Sequence, residues 1–246
     1  MVANRGTLTR LSWALVILAI VSAVVTLLFA TGMLRPPEDV ADYVERLLAF
    51  RGHDLAAFPF VVVGGLATLG VYLVVAMLGV VLRAWAQPSS VRDAMSLLFL
   101  VGGVVGIVGQ LVNIGVGEAA NPFYCDCGYK AEEVIALQKA IEVGWAIAAW
   151  LGLGSITMVG IGVGVTGRIL EVSPVWRTLS GIIAGALLFA VSLRVLAVFV
   201  FIEAFDPFQV SDLILAATSG ILVPIWAILL ARGVSEPEPQ ANAAVA

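Results

Sequence analysis

The stretch Leu11–Ala30, LSWALVILAIVSAVVTLLFA, decides the fold. It runs without a charged residue for the roughly 20 positions that a helix needs to cross a bilayer core of about 30 Å. Five further stretches read the same way: Ala56–Leu82, Ala94–Gly117, Val143–Gly167, Thr178–Ile202 and Leu213–Ala231. Only Thr178–Ile202 contains a charge, that of Arg194. No water reaches the hydrocarbon, so the backbone there must satisfy itself as a helix or a closed barrel. Barrel strands alternate polar and apolar residues over about ten positions, and these stretches do not alternate. The expected class is all-α: a polytopic membrane protein with six transmembrane helices.

Composition agrees. The chain of 246 residues is 61% hydrophobic and 12% charged, against about 25% charge in a soluble domain. The connections are too short for a second folded domain. The chain divides into an N-terminal segment at 1–10, a six-helix transmembrane domain at 11–231 and a tail at 232–246. The tail, ending SEPEPQANAAVA, is polar and Pro-containing and is expected to be disordered. The first apolar run exceeds the 7–15 residues of a signal-peptide core, and no small-x-small site ends it, so it is expected to remain as a span.

Basic residues set the expected orientation. With the N-terminus inside, Arg5, Arg10, Arg83, Arg92, Arg168, Arg177 and Arg232 are inner, and Arg35, Arg46, Arg51, Lys130 and Lys139 are outer, seven against five. Thirteen of the seventeen acidic residues fall on the outer side. Both termini are expected in the cytoplasm, in a bacterial inner or plasma membrane. The two lysines against eleven arginines are consistent with a GC-rich bacterial source.

The first outer loop carries its own amphipathic pattern. Pro36 and Pro37 suit the first turn of a helix. Val40, Tyr43, Val44, Leu47 and Leu48 share one face, Glu38, Asp39, Asp42, Glu45 and Arg46 the other, and Gly52 is a fitting stop. This predicts a short helix capping the spans. In the second outer loop, NPFYCDCGYK, a helix is expected to begin after Tyr129 and run unbroken into the fourth span. Gly102 and Gly106, Gly160 and Gly164, and Gly181 and Gly185 are small-xxx-small pairs, read as close packing within the bundle. Pro224 interrupts the sixth stretch near its middle.

The candidate site is built around Arg194, a charge deep in a span and therefore a functional hypothesis. Gln110 and Asn113, on one face of the third span, and Glu142, at the outer edge of the fourth, reach the same outer half. Arg194 is expected to face the interior near these groups, with Glu142 as its carboxylate. The alternative to a ligand site is an ion pair that only fixes helix packing. Cys125 and Cys127 lie on the oxidising side of the expected topology. They read as a disulfide, as a strained redox pair, as a soft-metal pair, or as free thiols.

Several functions lose their support. His53 is the only histidine, so bis-histidine haem within one chain is excluded and a triad has a single base to draw on. No phosphate loop, zincin or nucleophile elbow is present. No basic stripe suggests nucleic acid. No cofactor and no catalytic residue or metal ligand is expected. The layout from Leu11 to Ala231, with PPEDVADYVERLL and NPFYCDCGYK in its outer loops, resembles uncharacterised multi-span bacterial membrane families. The resemblance concerns layout alone and implies no activity. Three functions remain: a non-enzymatic protein binding or moving a small solute or lipid in an outer-half cavity, a structural or accessory subunit of a membrane complex, and an extracytoplasmic thiol-redox protein. Membrane lipid is the one partner the sequence requires, and the oligomeric state stays open.

Overall fold

A computed structural model of the chain describes residues 5–30, 43–120, 131–170, 172–199 and 207–233. Every regular element among them is a helix. The first five spans lie in α1 (Arg5–Ala30), α2 (Tyr43–Arg83), α3 (Ser90–Ala120), α4 (Ala131–Ile169) and α5 (Pro174–Phe199). The sixth is composite: α6 (Pro207–Ala217), a π-helical turn (Thr218–Leu222) and α7 (Val223–Gly233). All six are long and apolar enough to cross a membrane. The protein is an all-α, multi-span membrane protein.

Two of the spans extend beyond their apolar stretches. The loop pattern around Tyr43–Leu48 is helical, but as the first turns of the 41-residue α2, and Gly52 lies inside that helix instead of ending it. A single Gly costs only about 1 kcal/mol relative to Ala in a helix interior, and the helix-compatible residues after it carry the helix on. Residues 36–42 of the expected loop helix lie outside the described residues. Helix α4 begins at Ala131, close after Tyr129, and continues unbroken into its span as expected. Cys125, Cys127 and the tail from 234 onward also lie outside the described residues.

The spans form a ring. Each helix packs on its neighbours in sequence, and the sixth span closes on α1. No span has more than 44% of its apolar window buried, so none sits at the centre of the others. Apolar side chains such as Ile17, Leu97, Trp150 and Phe189 face outward, where lipid replaces water.

The two ends of the ring are filled differently. The continuous core draws on Leu8 and Leu15 of α1, Leu78 and Leu82 of α2, Phe99 of α3, Val163 of α4, and on α5 and α7. All these positions belong to the end of the bundle that carries the two termini. Trp176 and Trp226 lock it, stacked with ring centroids 5.4 Å apart. The Trp176 indole donates to the Trp226 carbonyl at 3.1 Å, and the Trp226 indole donates to Ser180 Oγ at 2.8 Å. Both hairpins at this end are short and capped: Ser89 Oγ accepts from the Arg92 amide, and Ser173 Oγ from that of Trp176. Asp93 takes ion pairs from Arg83 and Arg92 at the first of them.

Glycines set the helix separations. A Cβ on Gly103 would stand 2.6 Å from the Tyr72 carbonyl, so α3 and α2 touch through backbone there. Gly102, on the adjacent face of α3, meets the Ser155 carbonyl of α4. Gly160 and Gly164 are seats for Leu187 and Ala184 of α5, as small-xxx-small packing predicts. The third pair behaves otherwise. Gly181 and Gly185 are exposed, with nothing within 4 Å of a built Cβ, so they do not pack inside the bundle. Spacing alone does not say which face of a helix a neighbour will occupy. The π turn has a local cause. Pro224 offers no N–H to the carbonyl four residues back and its ring crowds it, and the Val223 amide bonds the Thr218 carbonyl across the widened turn.

Candidate ligand cavity

Arg194 leaves α5 five residues before that helix's end at Phe199, and Asp212 lies five residues after the start of α6 at Pro207. At 1.5 Å per residue each stands about 7.5 Å from its helix end. In an antiparallel pair of neighbours this makes them level, and Arg194 Nη2 donates to Asp212 Oδ1. The adjacent Ser211 is fully buried. Its hydroxyl accepts from Arg194 Nε at 3.1 Å and donates to the Ala190 carbonyl at 3.0 Å. Arg194 is thus held at two points of the α5–α6 seam, and Ser211 is itself tied back to α5.

The carboxylate of the ion pair is Asp212's, where Glu142 was expected. Asp212 is one residue short of the apolar stretch that begins at Leu213, so it reads as loop. The hairpin's symmetry about the 200–206 connection is the signal that identifies it. Glu142 is exposed on α4 and is not on the cavity wall.

The rest of Arg194 faces a cavity of about 510 Å³ in the half of the ring away from the termini. Gln110 and Asn113 line it from α3, Tyr72 from α2 and Trp145 from α4. Gln110 and Asn113 thus line the same cavity as Arg194, but the Arg194 bonds seen among the described residues go to Ser211 and Asp212, where the sequence reading expected Glu142, Gln110 or Asn113. Small residues line its walls, among them Gly106, Gly109 and Gly152, and of these three only Gly152 has open space beside it. Gly106 makes room for the Tyr72 ring, which would lie 2.3 Å from any Cβ there. Beside it the buried Ser155 hydroxyl donates to the Gly102 carbonyl at 2.7 Å, which ties α4 to α3 at the cavity floor. Beyond Gly152 there is nothing within 4 Å of a built Cβ, so this wall opens directly into the void.

The chemistry available is hydrogen bonding. Two of the five guanidinium N–H groups are engaged among the described residues, leaving three without a partner there. The Gln110 and Asn113 amides and the Trp145 indole have no partner among the described residues. No trio of His, Cys, Asp or Glu among the described residues is placed to hold a metal. Tyr72, Ser211 and Asp212 are the site residues the sequence did not single out.

No known family, curated protein or solved structure matches the chain.

Proposed function

We propose that the protein is non-enzymatic and binds a small or lipidic molecule in the cavity beside Arg194, to hold it or move it. One observation supports this: among the described residues, the ring is packed at the end where α1 begins and α7 ends and hollow at the other, with donors from α3, α4 and α5 converging on the hollow. Ligand sites are concave, mostly apolar spaces with a few placed polar groups, and this cavity has that form, with Gln110, Asn113, Trp145 and Arg194 set among small and apolar residues such as Leu153 and Ile156. The ion pair with Asp212 also serves packing, and the two roles are compatible. On the count of basic residues, both termini lie in the cytoplasm of a bacterial cell and the cavity belongs to the extracytoplasmic leaflet.

Native mass spectrometry of the purified full chain tests the proposal. A non-covalent adduct is expected on the parent protein and is expected to fall away in Gly152→Phe, which fills the void. Identical spectra for parent and variant, with no adduct on either, overturn it.

A further inference from the structure

We propose that the cavity's ligand is an uncharged amphiphile with a carbonyl-bearing head, and that it enters sideways from the bilayer between α4 and α5. The proposal rests on the ligand-site reading above and names the ligand's class and route.

The route follows from how α4 and α5 pair. Gly167 meets Ser180, Gly164 meets Ala184, and Gly160 meets Leu187, with built Cβ contacts of 2.5 to 3.3 Å. These pairs define an antiparallel register in which the two residue numbers sum to 347 or 348. The same register brings Leu153 level with Arg194 and Ala149 level with Val198. Residues 164, 160, 153 and 149 succeed one another by four, seven and four positions, so they share one face of α4. Along that face the packing ends abruptly. Leu153 is still buried, but Ala149 is exposed and Val198 is 55% exposed, although the register sets them opposite each other. Trp145, a cavity wall, is also exposed. Among the described residues, the helices part above Arg194. Arg194 itself explains the parting: its bonds to Ser211 and Asp212 hold the end of α5 against α6, away from α4. The opening lies between two apolar spans, ten residues along the α4 span from Lys139 and one residue short of the end of α5 at Phe199, so a molecule that passes between the two helices comes from the lipid phase.

The head's chemistry follows from charge and donor balance. Among the described residues on the wall Arg194 is the one that is charged, and Asp212 neutralises it. A phosphodiester would bring a negative charge to a wall whose one charge is already paired, and an unpaired charge taken out of water is unfavourable. Among the described residues, the groups without a partner are mostly N–H donors: three from Arg194, those of the two amides, and the Trp145 indole. A neutral head with carbonyl oxygens satisfies them. Diacylglycerols and prenylated benzoquinones both carry such a head on an apolar chain that can remain in the gap.

The test uses the full chain in phosphatidylcholine nanodiscs with diazirine-tagged probes: a diacylglycerol, a prenylated benzoquinone, a phosphatidylcholine and a phosphatidylglycerol. One neutral probe is expected to label residues 145–153 and 191–198 about tenfold more than either phospholipid, a difference of about 1.4 kcal/mol. Which neutral probe does so identifies the source. Gly152→Phe and Ala149→Trp, neither of which removes a buried group, are expected to abolish that excess without lowering thermal stability. Equal labelling by phosphatidylcholine, preferential labelling by phosphatidylglycerol, or an excess that survives both substitutions overturns the proposal. A water-soluble adduct in native mass spectra that Gly152→Phe displaces, with no lipid probe in the gap, sinks the lateral amphiphile and leaves the ligand site standing. Neither adduct nor labelling sinks both.

Discussion

Arg194 and Asp212 exemplify how a charge survives in a membrane. A lone arginine at the centre of a span costs about 2.5–3.5 kcal/mol on the milder insertion scale, and a carboxylate at the same level offsets it. Both side chains keep about a quarter of their surface exposed, 25% and 22%, so the pair is only partly desolvated. Removing one partner leaves the other uncompensated. Asp212→Asn is expected to destabilise the protein by about 1–3 kcal/mol, less than the 3–5 of a fully buried pair. The double variant Arg194→Leu, Asp212→Leu is expected to lie closer to the parent than either single change, because apolar groups can replace a buried pair at little cost. Melting temperatures of the three variants in detergent check this, and a double variant worse than both singles counts against it. At the other end of the bundle, Trp176→Phe removes a donor to the Trp226 carbonyl and half of a stacked pair. A loss of about 1–2 kcal/mol is expected, read in the same melting assay.

At the scale of the element, helix α3 shows what glycine does in a span. Its small residues face two neighbours at once, Gly103 and Gly106 toward α2 and Gly102 and Gly109 toward α4. Backbone contact replaces side-chain interdigitation there. Gly106→Ala drives a methyl into the Tyr72 ring and is expected to cost about 1–3 kcal/mol, the range for overpacking. Gly152→Ala adds the same methyl where nothing lies within 4 Å. Helix propensity then favours Ala by up to about 1 kcal/mol, so this variant is expected to be neutral or stabilised. Thermal unfolding of the two side by side tests the assignment of faces, and an equal effect of both would contradict it. The sequence marks Gly102 and Gly106 by their spacing, and marks Gly181 and Gly185 by the same spacing. One pair is packed and the other faces outward, because spacing is a property of one helix and packing a property of two.

As a whole molecule, the protein is a ring with one filled end. The filled end bears the short capped hairpins, the tryptophan pair and the termini. The hollow end bears the ion pair and the cavity. This polarity makes the orientation in the membrane the decisive whole-molecule quantity. Cysteine reagents applied to intact cells after reduction are expected to label position 125 or 127, which follow α3 at the hollow end. Labelling only after permeabilisation would place the cavity in the cytoplasmic leaflet and reverse the proposed topology.

The number of spans, the helical class and the presence of a polar group in the fifth span were determined by the sequence alone. The reason is local: about twenty consecutive apolar residues have one way to satisfy their backbone in lipid, and Arg194 is visible as an interruption. Gln110 and Asn113 were legible too, since three positions on a helix make one face. The identity of Arg194's carboxylate, the glycines that bring helices together and the gap between α4 and α5 were decided only by tertiary structure. In a membrane, the faces that meet lipid and the faces that meet other helices are both apolar, so hydrophobic patterning does not record how each helix is turned. That rotation follows from where small residues let backbones approach, and from polar bonds such as those of Ser211, which draw the end of α5 to α6 and away from α4.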